Sequence, residues 1–135
     1  MISRFRLALA VYNSRLVSIE NITVIEMYVS VTGLKSKGLI GRLRFWVLTI
    51  PAFRAARKAS GIILCETRTC NGYNHTLTVW KTKEKMRLYR SSPVHSKAMR
   101  EFSSIATGKV LGFESDSIPT WDEALKQFAS NARDV

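Results

Sequence analysis

The dipeptide Asn71-Gly72 most constrains how this chain can fold, because it separates two apolar runs of strand-like composition. Asn-Gly is a strong signal for the two-residue turn of a β-hairpin, since both residues tolerate a positive φ. The runs on either side, residues 62–66 and 75–80, combine β-branched, aromatic and other apolar side chains. The sequence therefore predicts two antiparallel strands joined at this turn.

A strand and a long helix are predicted ahead of the hairpin. Residues 28–32 alternate between apolar and polar side chains, as a half-buried strand does, and Gly33 ends the pattern. Residues 39–59 carry apolar side chains three and four positions apart, which is helical spacing, and Pro51 is predicted to interrupt the helix. We expect the apolar face to be buried against the sheet, although the surrounding arginines also allow a surface helix that touches a membrane. That face consists of Leu43, Trp46, Val47, Ile50 and Phe53.

Two helices, a last strand and a tail helix are predicted after the hairpin. Thr82 can cap a short helix, and Ser92-Pro93 supplies the N-cap and the first position of the next helix. Residues 109–114 form the predicted last strand. Residues 120–123 have the capping-box pattern that begins a C-terminal helix.

This order of elements predicts an α+β fold of the ferredoxin-like type, βαββαβ, with a four-stranded antiparallel sheet and an extra C-terminal helix. Both faces of the predicted strands carry apolar side chains, so both faces need cover. The C-terminal helix or a second copy of the sheet can supply it, and a homodimer is favoured because two-fold pairing is self-complementary. We expect residues 1–26 to be a disordered leader or upstream extension, residues 27–118 the domain, and residues 119–135 a helix that packs on the domain or on a partner.

The formal charge of +11 is concentrated in the middle of the chain. Residues 26–100 carry 15 Lys and Arg against 3 acids, whereas residues 101–135 carry 3 against 6. Such a surface favours an anionic partner, for example nucleic acid or anionic lipid, or serves only to keep the protein in solution. No apolar run approaches the about 20 residues that span a bilayer, so no transmembrane segment is expected.

The cysteines and the first residues bear on cellular location. Cys65 and Cys70 lack a metal-ligand spacing, so we expect reduced thiols, no metal site and a cytoplasmic protein. Residues 1–19 contain three arginines and no acid, which is also the composition of an organellar transit peptide. Import into an organelle is the alternative.

No phosphate loop, nucleophile elbow, zinc-protease motif or dinucleotide fingerprint occurs in the sequence. RNA binding is the rival that the basic charge and the order of elements suggest. The third strand of an RNA-recognition motif presents aromatic stacking residues, and in the nearest register, residues 71–78, His75 and Thr78 stand at two of those positions. Nucleic acid is therefore not favoured as a partner, and His75 is expected to be exposed beside the turn.

Three segments resemble a known family. Residues 76–80, 85–89 and 91–99 are similar to the antibiotic-biosynthesis-monooxygenase superfamily of dimeric α/β-barrels, and most similar to the branch that contains spheroidene monooxygenase and its bacterial relatives. The resemblance covers about residues 27–115. It implies a homodimer with a pocket between sheet and helices for a small apolar molecule, quinol-like or isoprenoid. Such a protein is either a monooxygenase or a ligand-carrying or structural dimer without catalysis.

The resemblance also implies which side chains serve the pocket. His95 is the candidate acid/base group or axial ligand, and Trp46, Trp80, Tyr89 and Met99 are the candidate lining, although packing in the core would explain each of them too. The expected cofactor is none, with haem as the alternative. Met99 stands where haem-degrading relatives carry a histidine, which weighs against haem degradation.

Overall fold

The computed structural model describes residues 26–135, and the leader and transit-peptide predictions for residues 1–25 fall outside the described residues. Strands and helices follow one another in the order expected for a ferredoxin-like fold. They are β1 (Met27–Ser36), α1 (Gly38–Arg57), β2 (Ile62–Cys70), β3 (Tyr73–Trp80), α2 (Lys83–Arg90), α3 (Pro93–Ile105), β4 (Ala106–Ser115), α4 (Trp121–Asn131) and β5 (Arg133–Asp134).

The sheet is antiparallel throughout, with strand order β2-β3-β1-β4-β5. The predicted hairpin is present: β2 and β3 meet at Asn71 and Gly72, whose φ angles are 50° and 78°. β1 lies at the centre, where Val31 faces Leu77 of β3 and Leu111 of β4. The α+β ferredoxin-like fold predicted from the sequence is thus confirmed.

The prediction of four strands is wrong, because the sheet has five. After α4 the chain turns back along the free edge of β4, where Arg133 pairs with Val110 and Asp134 with Lys109. The Val135 amide extends this contact by donating to the Gly108 carbonyl at 3.1 Å. Two residues are too few to show the alternation by which a strand is recognised in sequence.

The predicted burial of the α1 face is also wrong. Phe45 and Ala56, which are 2% and 3% exposed, point toward the sheet, whereas Leu43 and Val47 are 70% and 65% exposed. α1 is apolar on two opposite sides. The side that packs carries Phe45, which belongs to a buried cluster with residues of α3 and β4. Pro51 does not interrupt the helix, which continues to Arg57.

α4 covers the face of the sheet that α1 leaves open. Ala124 is fully buried on a layer formed by β1 and β3, which consists of Val29, Val31, Leu77 and Val79. The Trp121 indole N–H donates to Glu66 Oε2 at 2.8 Å, and the Phe128 ring lies edge-on to the His75 ring with centroids 5.0 Å apart. Within this one chain, the C-terminal helix therefore supplies the second cover that an apolar sheet requires.

The close approach of α4 to β1 depends on Gly33. A Cβ added there would lie 2.7 Å from Phe128 Cζ and 2.8 Å from His75 Cε1, both inside van der Waals contact. We expect Gly33→Ala to lower the free energy of unfolding by about 1–3 kcal/mol, the usual cost of overpacking. Urea denaturation of the two proteins measures the difference. Truncation of Phe128 to alanine removes one of these two contacts, so Gly33→Ala should cost less in that background, and equal costs in both backgrounds would contradict this explanation.

Candidate functional site

Three aromatic rings from three different elements meet on the side of the sheet that faces away from α4. Trp80 ends β3, Tyr89 lies on α2 and His95 lies on the first turn of α3. Tyr89 stacks on Trp80 with ring centroids 5.3 Å apart and planes inclined by 26°. The His95 ring is edge-on to Tyr89, with centroids 5.1 Å apart. We call these three side chains the aromatic cluster.

Trp80 is the most deeply buried member of the aromatic cluster. It is fully buried, and its indole N–H donates to Thr78 Oγ1 at 2.9 Å, two residues back on the same face of β3. The Thr78 hydroxyl in turn donates to the Ser30 carbonyl of β1. A buried tryptophan whose N–H is satisfied is held in one position, so it offers a flat apolar surface and no reactive group.

Tyr89 ties α2 to α1. Its hydroxyl donates to the Ala52 carbonyl at 2.7 Å. Burial raises the pKa of Tyr89 to about 12, and the nearby Cys65 thiol adds to the shift. Burial likewise raises the pKa of Cys65 to about 11, although the charge of Arg57 opposes the shift. Both groups keep their protons near neutral pH, so neither serves as a base or a nucleophile there.

His95 is the group of the aromatic cluster that can accept a proton. Its Nδ1 lies 3.1 Å from the Arg90 carbonyl, which only accepts, so Nδ1 carries the hydrogen and Nε2 of the neutral ring has a free lone pair. Burial lowers the pKa of His95, and the hydrogen bond to the Arg90 carbonyl offsets part of that shift. The imidazole is therefore a neutral base held in a defined tautomer.

Ser92 adds a polar group one helical turn before His95. It is the N-cap residue of α3, yet its side chain makes no capping hydrogen bond. Its Oγ is buried and has no hydrogen-bond partner within residues 26–135. A buried hydroxyl without a partner costs stability unless something binds to it. The sequence predicts only a capping role for Ser92. Ser92 precedes His95 by three residues, about one helical turn, and this spacing is the sequence signal that places both at one site.

The other predicted lining residues lie outside the aromatic cluster. Trp46 points outward on α1, where it is 44% exposed and edge-on to Phe45. Met99 is 45% exposed on α3. The structure thus brings together Trp80, Tyr89 and His95, whereas a role for Trp46 and Met99 in ligand binding stays a prediction.

The rings of the aromatic cluster pack against one another, Tyr89 on Trp80 and His95 on Tyr89. The two open clefts described on residues 26–135 lie elsewhere, a cleft of about 440 Å³ between α4 and the end of β4 and a smaller one beside β5. A ligand at His95 must therefore displace a ring, and Tyr89 is the candidate because α2 buries no residue completely. A haem is larger than the Trp80 and Tyr89 rings together, and these rings are packed against each other beside His95, so the residues as arranged do not fit a haem.

His75 lies on the opposite face of the sheet, and its predicted exposure is wrong. It is 5% exposed because Phe128 of α4 packs against its ring. Its Nδ1 donates to the Thr32 carbonyl at 3.1 Å, and burial lowers its pKa. The sheet face on which an RNA-recognition motif would stack bases is covered here by α4.

Within residues 26–135, no group of three or more His, Cys, Asp or Glu side chains could hold a metal ion. None of the helices α1 to α4 is long and apolar enough to cross a bilayer.

Comparison with solved structures places the fold. SnoaB from Streptomyces nogalater, described as a cofactor-independent oxygenase, is 12% identical and superposes with a TM-score of 0.57 over 73% of this chain and 99% of its own. A protein from Nitrosomonas europaea, provisionally named an antibiotic biosynthesis monooxygenase, is 10% identical with a TM-score of 0.56 over 68% and 90%. A Bacteroides fragilis protein, described as dimeric with a ferredoxin-like fold, is 14% identical with a TM-score of 0.53 over 66% and 96%.

No family model and no curated protein matches the sequence. At these low identities the structural similarity establishes the fold alone. The resemblance to antibiotic biosynthesis monooxygenases expected from the sequence is therefore confirmed at the level of the fold.

The lowered pKa values of the two histidines predict how stability depends on pH. Each histidine has a pKa below 6.5 in the folded state, so the unfolded chain takes up protons first as the pH falls. The free energy of unfolding should be nearly constant above about pH 7 and decrease from about pH 6.5 downward. Urea denaturation across this range measures the decrease. His95→Gln and His75→Gln should each make it shallower, and an unchanged slope in both variants would contradict the assignment.

Proposed function

We propose that this protein binds a small, flat apolar molecule at the aromatic cluster and oxygenates it there. The observation that carries the proposal is the neutral His95 imidazole, whose Nδ1 is engaged by the Arg90 carbonyl so that Nε2 is left as the base. The buried Ser92 hydroxyl at the same end of α3 supports it, because it can bind a polar atom of the ligand. The fold shared with SnoaB, described as a cofactor-independent oxygenase, agrees with this chemistry.

The reaction requires only a base and a substrate that can give electrons to oxygen. His95 Nε2 removes a proton from an acidic CH₂ group next to an aromatic ring system, and the resulting carbanion transfers electrons to O₂. One oxygen atom bonds to that carbon, and loss of water then leaves a carbonyl group. The balance is R₂CH₂ + O₂ → R₂C=O + H₂O, so the substrate supplies all of the electrons. A quinol-like aromatic substrate meets this requirement when its keto tautomer carries such a CH₂ group.

The other rings of the aromatic cluster set the shape of the substrate. Trp80 cannot move without losing its hydrogen bond inside the core, so a flat substrate stacks where Tyr89 now lies. Tyr89 leaves by breaking one hydrogen bond, the one to the Ala52 carbonyl, as α2 shifts. The apolar walls exclude water from the carbanion, which would otherwise be protonated again.

The role of His95 as the base is tested with anthrone, whose CH₂ group is oxidised to a carbonyl group of anthraquinone. Under air, the native protein should accelerate anthraquinone formation, followed by absorbance. His95→Gln should reduce the rate by about 10²–10⁴-fold, the range for loss of a general base. The affinity for anthrone, measured by equilibrium dialysis, should stay within a few-fold because Trp80 and Ser92 remain.

The matched control is His75→Gln, which makes the same chemical change on the far side of the sheet. It should leave the rate of anthrone oxidation unchanged. If the native protein binds anthrone but does not accelerate its oxidation, or if His95→Gln oxidises it at the native rate, His95 is not the base and the proposal fails.

A ligand-carrying protein without catalysis is the second candidate. It is favoured by the packing of the aromatic cluster, in which Trp80 and Tyr89 fill the space and satisfy their polar atoms within the protein. A carrier should bind anthrone with the same affinity in the native protein and in His95→Gln, with no oxidation by either. The same two measurements therefore separate both candidates.

We also propose that the protein is a homodimer. The dimeric state of the Bacteroides fragilis protein of similar fold supports it, and two-fold symmetric dimers are the commonest homo-oligomers. Because α4 covers the open face of the sheet within one chain, a dimer that pairs through this face would have to form around α4 or exchange α4 between its subunits. Light scattering at micromolar concentration should give twice the 15.3 kDa chain mass. A strictly monomeric mass would refute the dimer.

A further inference from the structure

The outer face of α1 carries an unusual amount of exposed apolar surface. Six large apolar side chains lie there over about three turns, roughly 17 Å of helix. We call them the outer stripe: Leu39 (81% exposed), Ile40 (77%), Leu43 (70%), Trp46 (44%), Val47 (65%) and Ile50 (44%). Contiguous apolar surface of this kind on a soluble fold marks a place where something binds.

The outer stripe does not belong to the core of the protein. Phe45 and Ala56 face the sheet from the opposite side of the same helix and are buried. Among the described residues, no element packs over the outer stripe, because α3 and the sheet contact the inner side of α1. Within residues 26–135 the stripe is therefore exposed surface of α1.

The charged residues of α1 itself are all basic. α1 contains four arginines and no acidic residue. Helical spacing puts Arg42 and Arg44 on the two flanks of the stripe, and Arg54, Arg57 and Lys58 continue its line beyond Ile50. Of these side chains, Arg44 forms an ion pair at 3.7 Å with Glu101 of α3. An apolar ridge with a positive rim suits a partner that is apolar inside and anionic at its surface.

We propose that the outer stripe docks the protein on the surface of an anionic lipid bilayer, with α1 lying parallel to the membrane plane. Leucine, isoleucine and valine side chains would enter the boundary of the acyl chains, and Trp46 would lie at the headgroup level, where its amphipathic ring is favoured. The arginines would contact lipid phosphates and carboxylates. This inference does not depend on the proposed oxygenase function.

Charge complementarity distinguishes the bilayer from a second copy of the chain. Two-fold pairing of outer stripes would bring the arginines of one α1 close to those of another, and α1 offers no acidic partner. Like charges placed together at an interface oppose association. A bilayer containing anionic lipid supplies both the apolar layer and the negative charge.

The test is sedimentation of the full-length protein with vesicles. Vesicles of phosphatidylcholine with 30% phosphatidylserine should bind the protein, and those of phosphatidylcholine alone should bind it much more weakly. Leu43→Glu combined with Val47→Glu should weaken binding more than about tenfold, because apolar contact is replaced by charge that anionic lipid repels. Arg54→Ala should weaken it roughly fivefold, the equivalent of about 1 kcal/mol per basic residue near the surface.

Ile118→Glu is the matched control. Ile118 is 49% exposed in the loop before α4, on the other side of the sheet, so this variant should bind vesicles as the native protein does. Trp46 provides a second readout: its fluorescence should shift to shorter wavelength on the anionic vesicles, and the shift should be absent in Trp46→Phe. Because Leu43 and Val47 are exposed, the double variant should keep the native melting temperature.

Several results would overturn the proposal. Failure of the native protein to bind anionic vesicles would do so, as would equal binding to both kinds of vesicle. Undiminished binding by the Leu43→Glu, Val47→Glu protein would place the lipid contact elsewhere in the chain. Conversion of a dimer to a monomer by the same double variant would make a second copy of the chain the partner of the outer stripe.

Discussion

The apolar layer that β1 and β3 present to α4 is the contact on which the rest of the structure depends. Its valines and leucine are completely buried only because Ala124 lets α4 lie close to the strands. Gly33 extends that close approach to the end of β1, where any side chain would collide with Phe128. A sheet that is apolar on both faces must be covered on both, and in this chain α4 covers one face while α1 and α3 cover the other.

This division of the cover determines the surroundings of the two histidines. The face under α4 is closed by Phe128 and His75. The His75 ring contacts Phe128 and Tyr73, and its Nδ1 donates to the Thr32 carbonyl. On the helix side, short α2 reaches the sheet mainly through Tyr89, and α3 begins next to it with Ser92 and His95. The two histidines thus differ in their surroundings because of what packs on each face. The His95 ring is edge-on to Tyr89 of α2, and the His75 ring is edge-on to Phe128 of α4.

α1 has more apolar surface than the rest of the described residues bury. Phe45 and Ala56 are sufficient for its contact with α3 and β4, and the remaining apolar side chains face outward. Retaining them costs solubility, and the clustered positive charge of the middle of the chain offsets part of that cost. A helix-side aromatic cluster for an apolar ligand and an outer stripe for a lipid surface would lie on the same side of the protein.

The sequence by itself determined the order of elements, the hairpin at Asn71-Gly72, the capping box before α4 and the need to cover both faces of the sheet. These are local signals, since turn geometry, capping and alternation each depend on a few neighbouring residues. It also supplied Trp80, Tyr89 and His95 as candidates through a family resemblance. Only the tertiary structure decided which side of α1 is buried. In a helix that is apolar on two sides, the apolar residues of each side show the same three-and-four spacing in the sequence. The tertiary structure also decided that α4 closes the sheet and buries His75, and that Arg133–Asp134 adds a fifth strand, because these contacts join residues far apart in the chain.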